Sequence, residues 1–303
     1  MRSEVQEAVR LLQEQRPEAL ERALELLQVT VTSFGMKVCG HREDAEDTAQ
    51  EVLLKAIPYL PRFHSPQALA VWLYKVAKNQ CLMARRQSKF APRHQLSLDE
   101  LMPEREELER LERVRQDSPE TSVLRAEDAE RVRQAVLRLP PAYRLVLVLH
   151  DMEELSTAEA AKITGLREGT VRVRLHRARL FLRKALSAPA GVAKRRVRPK
   201  RGRASHEADQ ARGRCKQLFA KLSDYLDDEL DDSLCRELEE HLKGCAPCEA
   251  FLSSLEQTVE RCRRYHTPRR RPEEAAKMRQ RLLAQYQDAM TAARTRPTRP
   301  AQS

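Results

Sequence analysis

The stretch LSTAEAAKITGLREGTVRVRLHRARLFLRKAL, residues 155–186, constrains the fold more than any other part of the chain. Ser156 followed by Glu159 makes a capping box for a helix reaching Ile163, and Gly165 supplies the left-handed residue that a tight helix-to-helix turn needs. Val171, Leu175, Ala178 and Leu182 then recur as the inward stripe of a second helix. The pattern predicts a helix-turn-helix. A helical wheel sets Gly169, Val173, His176 and Arg177 opposite that stripe, with Arg172 on its flank, all free to meet DNA. Thr170, Arg172, Val173, His176 and Arg177 are the candidate duplex-contacting residues. Arginine suits the role because its planar fork can bond both acceptors on a guanine edge or pair with phosphates. Arg174, Arg179 and Arg183 are expected on phosphates or in solvent. Arg167 stands where a capping Ser or Asp is expected, which leaves the start of the second helix open.

Composition agrees with a helical chain. Only 8 glycines occur in 303 residues and 4% of residues are aromatic, too few glycines for phosphate-binding loops or for many tight β-turns. Lys and Arg outnumber Asp and Glu by 56 to 45, a net charge of +11, which favours a polyanionic partner: nucleic acid first, an anionic membrane surface second. The longest purely aliphatic run, Leu145 to Leu149, is far short of the ~20 residues that cross a bilayer. The opening MRSEVQEAVR has no apolar core for a signal peptide, so no membrane and a cytoplasmic location are expected.

An all-α chain of three modules is expected. Residues 1–92 form a helical unit broken near Gly40, Pro58, Pro61 and Pro66, and residues 93–125 a flexible linker with one solvated helix around Glu104 to Arg115. Residues 126–188 carry the helix-turn-helix, with Leu139-Pro140-Pro141 separating the unit's first two helices. Residues 189–212, including AKRRVRPKRGR, read as a basic disordered tether that could also touch phosphates. Residues 213–267 hold a cysteine cluster. Residues 268–303 form a C-terminal helix and tail, with Met278, Leu282, Tyr286 and Met290 on one face.

In the first unit, DAEDTAQEVLLKAI buries Ala45, Ala49, Val52, Leu53 and Ala56 and leaves Asp44, Asp47 and Glu51 on an outer stripe with Gln50 nearby. An acidic stripe repels DNA, so in a basic protein it suggests a protein partner with a basic surface; an ordinary solvated face is the alternative. Tyr59, Phe63, Trp72 and Tyr74 cluster downstream, followed by Lys75, Lys78, Arg85, Arg86 and Lys89. Aromatics interleaved with cations suit unpaired bases, and core packing is the rival explanation.

These motifs in this order, namely DAEDTAQEVLLKAI, WLYKVAKNQCLMARRQ, LPPAYRLVLVLHDMEELSTAEAA and GTVRVRLHRARLFLR, resemble a bacterial RNA polymerase sigma factor of the extracytoplasmic function type. The resemblance covers nearly all of residues 4–186. It implies that the first unit is sigma region 2 and the second region 4. Asp44, Asp47, Gln50 and Glu51 would then dock on the clamp helices of the polymerase largest subunit. Asn79 would lie in the loop that captures a flipped base of the minus-ten element, with Phe63, Trp72, Arg85 and Arg86 nearby. Arg172, Val173, His176 and Arg177 would meet the minus-thirty-five element. Core RNA polymerase and promoter DNA are the implied partners; duplex contacts by the second unit would supply register, while holding extruded bases at the first would offset the cost of unpairing, a few kcal/mol per flipped base, with no bond made by this chain.

In RCKQLFAKLSDYLDDELDDSLCRELEEHLKGCAPCEAF, His241, Cys245 and Cys248 can converge because Gly244 and Pro247 interrupt the helix. Cys215 could complete a closed Cys3His site for Zn²⁺; unligated thiols are the alternative. The segment is similar to the zinc-binding domains of anti-sigma factors, and implies an internal regulator that packs on regions 2 and 4 until metal or oxidation changes it. A purely structural zinc hairpin is the rival. Cys235 and Cys262 are spare thiols, open to a disulfide switch, a second metal such as copper, or passive packing, while Cys39 and Cys81 stand alone. Two other functions compete: a helix-turn-helix regulator that works without polymerase, against which the acidic and aromatic motifs argue, and a zinc enzyme, against which the four-ligand closure argues.

Overall fold

Pro17 and Gly40 bracket one long amphipathic helix, and such punctuation sets most of the architecture. A computed structural model describes residues 3–14, 16–86, 125–187 and 221–267, with 96, 97, 101, 218, 219, 280, 283 and 284. Every regular element among them is helical. Cys215, the helix expected around Glu104 to Arg115, the basic tether and the face of Met278, Leu282, Tyr286 and Met290 lie outside the described residues.

The chain divides into two compact units that do not follow chain order: one draws on residues 1–92, 153–166 and 266–303, the other on 93–152 and 167–265. In the first, α1 (Ser3–Gln13), α2 (Pro17–Cys39), α3 (Arg42–Ala56) and α4 (Pro66–Arg86) pack together, joined by α7 (Thr157–Thr164). Gly40 ends α2 at φ 86°, a left-handed conformation that glycine adopts without strain. Within α2, a Cβ on Gly35 would come within 2.9 Å of the Ala45 Cβ, so the bare glycine is what lets α2 and α3 approach closely. The Phe34 and Tyr74 rings pack in a tilted arrangement, 4.8 Å between ring centres. Cys39 and Cys81 do not stand alone: they are joined by a disulfide, Cα atoms 5.9 Å apart. Their separation of 42 positions hides a proximity that only the packing of α2 against α4 creates.

Two polar contacts hold α7 to α4. Gln67 Nε2 donates to Glu159 Oε1 at 2.7 Å, and Lys78 Nζ donates to the Ile163 carbonyl at 2.9 Å, placing a cation at the carbonyl end of the helix. The Ser156–Glu159 capping box forms as expected, and Gly165 ends α7 at φ 74°.

The second unit contains α5 (Arg125–Arg138), α6 (Pro141–Leu147), α8 (Glu168–Ser187), α9 (Leu222–Leu226), α10 (Asp232–Gly244) and α11 (Ala246–Arg264). Leu139 and Pro140 separate α5 from α6 as expected, and α6 widens into π-helical turns over Val148–Met152. Val171, Leu175, Ala178 and Leu182 of α8 are all buried. Leu180, on a different face, enters the same apolar cluster as Leu218, Phe219, Leu222, Leu238, Phe251 and Leu255. The cysteine-bearing module thus completes its core with a residue of the helix-turn-helix.

Candidate nucleic-acid interface and metal site

α3 buries Ala45, Ala49, Val52, Leu53 and Ala56, the set its periodicity predicts, and turns Asp44, Asp47 and Glu51 to solvent with Gln50 half-buried. Beyond it, Trp72 sits between Tyr59 and Phe63, with ring centres 6.2 and 6.1 Å away. Tyr59 is exposed, Phe63 and Trp72 are half-buried, and Asn79 and Lys75 are exposed on α4. The aromatics therefore serve both packing and surface. Arg85 and Arg86 end α4, and their side chains lie outside the description.

α8 differs from its wheel. Thr170 and Val173 are exposed and Arg177 is half-exposed, in line with a free outer face. Arg172 is instead half-buried, its Nε donating to Glu229 Oε2 at 2.6 Å. His176 is buried, with Nδ1 2.9 Å from the Ser223 hydroxyl, and burial together with the Arg179 and Arg177 charges pushes its pKa down to about 4.

The expectation for Arg179 and Arg183 is overturned, since both side chains are fully buried. Arg179 donates to Asp151 at 2.9 and 2.6 Å, and to Asp227 at 2.8 and 2.7 Å. Burial alone would raise the Asp151 pKa, but the Arg179 charge and hydrogen bonds outweigh it and hold the carboxyl well below its ordinary value. The Arg183 guanidinium lies 4.1 Å from the Phe251 ring centre, a cation–π contact. The reason for the discrepancy is physical: a wheel assumes one packed face, whereas α8 is covered on a second side by α9 and α11.

Ser223, Asp227 and Glu229 were not apparent as partners of α8. Their signal is the acidic run DYLDDELDD, anomalous in a basic chain. Between α9 and α10, Asp228 adopts φ 54°, a left-handed turn flanked by the two carboxylates that meet Arg179 and Arg172.

His241 lies in the last turn of α10, Cys245 caps α11 and Cys248 is in its first turn. His241 Nε2 is 3.2 Å from Cys248 Sγ, and Cys245 Sγ is 3.3 Å from the same sulfur. All three donor atoms fall within 4.8 Å of one another. One imidazole nitrogen and two thiols converging at this spacing fit the ligand set of a tetrahedral zinc site. Cys262 is buried and Cys235 half-buried.

Comparison with known proteins identifies these parts. Residues 24–90 match sigma-70 region 2, residues 129–182 match sigma-70 region 4, and residues 215–248 match a putative zinc-finger family. The order of the first two defines a sigma-70-type factor of transcription initiation. The ECF RNA polymerase sigma factor SigW of Bacillus subtilis is 33% identical over 50% of this chain and 79% of its own length. RNA polymerase sigma factor YlaC of the same organism is 32% identical over 48% of this chain and 80% of its own. The RNA polymerase sigma-H factor of Pseudomonas aeruginosa is 32% identical over 55% and 87%. The chain belongs to the extracytoplasmic function RNA polymerase sigma factors, and its partners are accordingly core RNA polymerase and promoter DNA. No helix among the described residues is long and apolar enough to cross a membrane.

Proposed function

We propose that this sigma factor acts in the cytoplasm, docks on polymerase through Asp44, Asp47, Gln50 and Glu51, and opens promoters without making or breaking a covalent bond. The observation that carries the docking role is the exposed acidic face of α3 in a chain of net charge +11, within the matched region 2. Asn79, with Phe63, Trp72, Arg85 and Arg86, holds the unpaired minus-ten strand, where ring faces stack on bases and cations follow the backbone. Thr170, Arg172, Val173, His176 and Arg177 contact the minus-thirty-five duplex.

The cysteine-bearing module is an intramolecular regulator held together by zinc. His241, Cys245 and Cys248 would supply three ligands and Cys215 the fourth, and a bound metal would tie the end of α10 to the start of α11. The test is run-off transcription with core polymerase. The full chain and a tail-shortened form should both yield promoter-specific transcripts, in different amounts, and replacing Asp44, Asp47 and Glu51 together by Ala should abolish co-elution with core enzyme. Retention of polymerase binding by that triple variant would overturn the docking assignment.

A further inference from the structure

Arg172, His176 and Arg179 follow one another at helical spacing i, i+4, i+7, so they form a single stripe along α8. The cysteine-bearing module meets all three: Glu229 takes Arg172, the Ser223 hydroxyl takes His176, and Asp227 takes Arg179 through two parallel hydrogen bonds. A carboxylate accepting from a guanidinium fork uses the donors that a guanine edge or a phosphate would use. Two of these three residues, Arg172 and His176, are among those proposed to contact the duplex. In the docked arrangement His176 is only 6% exposed.

We infer that the acidic segment Ser223–Glu229 occupies the DNA-reading stripe of α8, so that this module and duplex DNA compete for the same side chains. The inference rests on the proposal that α8 contacts duplex DNA, and adds how that contact is controlled. Two features make the docking reversible and stable at once. Arg179 is bracketed: Asp151, on the π-helical end of α6, binds it from the opposite side, so departure of Asp227 leaves the buried guanidinium with a partner. Leu180 is shared with the core of the module, and Arg183 lies on the Phe251 ring, so apolar burial holds the closed form while the polar stripe makes it exclusive of DNA.

The test uses the full chain, wild type and the Asp227→Asn/Glu229→Gln variant, with a fluorescent short duplex of randomised sequence as probe. The variant should bind the duplex roughly tenfold more tightly than wild type and lose affinity more steeply as salt rises, because the freed Arg172 displaces an additional counterion. Glu229→Gln alone alters a partly exposed side chain and should give a smaller gain in the same direction. In the wild type, added duplex should accelerate amide exchange across Leu222–Leu226, reporting displacement of α9. Equal duplex affinity of wild type and both variants, or exchange at α9 unaffected by saturating duplex, overturns the inference. Co-elution with core polymerase is measured on the same samples. If no form binds either polymerase or duplex, the proposed function itself fails; polymerase binding retained with equal duplex affinities rejects only the competition.

Discussion

Lys37 and Glu153, 116 positions apart, meet with Nζ 2.8 Å from Oε1, and neither side chain reaches solvent. The Tyr74 hydroxyl donates to the other oxygen of Glu153 at 2.7 Å. Lys37 and Tyr74 belong to the residues matched to region 2 and Glu153 to those matched to region 4, so this buried charge is a point of attachment between the two sequence regions. Removing Glu153 takes from the buried Lys37 its carboxylate at 2.8 Å. Glu153→Ala should lower unfolding stability by about 3–5 kcal/mol in urea titrations. Replacing both residues by Met should cost less than Glu153→Ala alone, because no uncompensated charge remains.

The close approach of α2 and α3 at Gly35 predicts a packing defect. Gly35→Ala puts a methyl 2.9 Å from the Ala45 Cβ and 3.0 Å from its Cα, so backbone as well as side chain must shift. The cost expected for overpacking is about 1–3 kcal/mol, which outweighs the gain of up to ~1 kcal/mol in helix propensity. Thermal unfolding of the variant should show a net drop in midpoint.

Acid should loosen the module from α8. The His176 pKa is pushed from 6.5 down to about 4, so the docked form holds the neutral ring while an exposed imidazole would protonate near 6.5. The stabilisation is therefore complete above pH 6.5 and is lost progressively as pH falls from 6.5 toward 4, by an upper limit of about 3 kcal/mol. The Arg177 and Arg179 charges act in the same direction as burial. Amide exchange at Leu222–Leu226, corrected for the intrinsic pH dependence, should rise through this window, and His176→Gln should flatten the response.

Metal content checks the hairpin. The purified protein should carry about one zinc per chain, and Cys248→Ser, Cys245→Ser or Cys215→Ser should each reduce it sharply. Chelation should increase proteolysis between α10 and α11 while leaving α1–α4 protected. Full zinc retention by Cys215→Ser would assign the fourth ligand elsewhere.

Local chemistry made much of this architecture legible in the sequence. The α3 faces follow from 3.6-residue periodicity, the start and end of α7 from Ser156, Glu159 and Gly165, and the metal cluster from the short His241–Cys248 spacing. What escaped is long-range. Lys37 lies in α2, where a solvated lysine is the ordinary expectation, and its burial sets it on Glu153, which the Tyr74 hydroxyl also meets. Cys39 and Cys81 become partners only through packing of α2 on α4. Arg179 resembles its surface neighbours in sequence, and its interior position depends on two aspartates, one of them 48 positions away.

Leu180 belongs to one helix but to a second domain's interior, and this couples two properties that are usually free to drift apart. A descendant that altered Arg172 or His176 to acquire a new set of target genes would also unsettle its own seal, unless Glu229 or Ser223 changed in step. Diversification of this lineage should therefore leave paired substitutions across the two segments, with recognition and restraint inherited together.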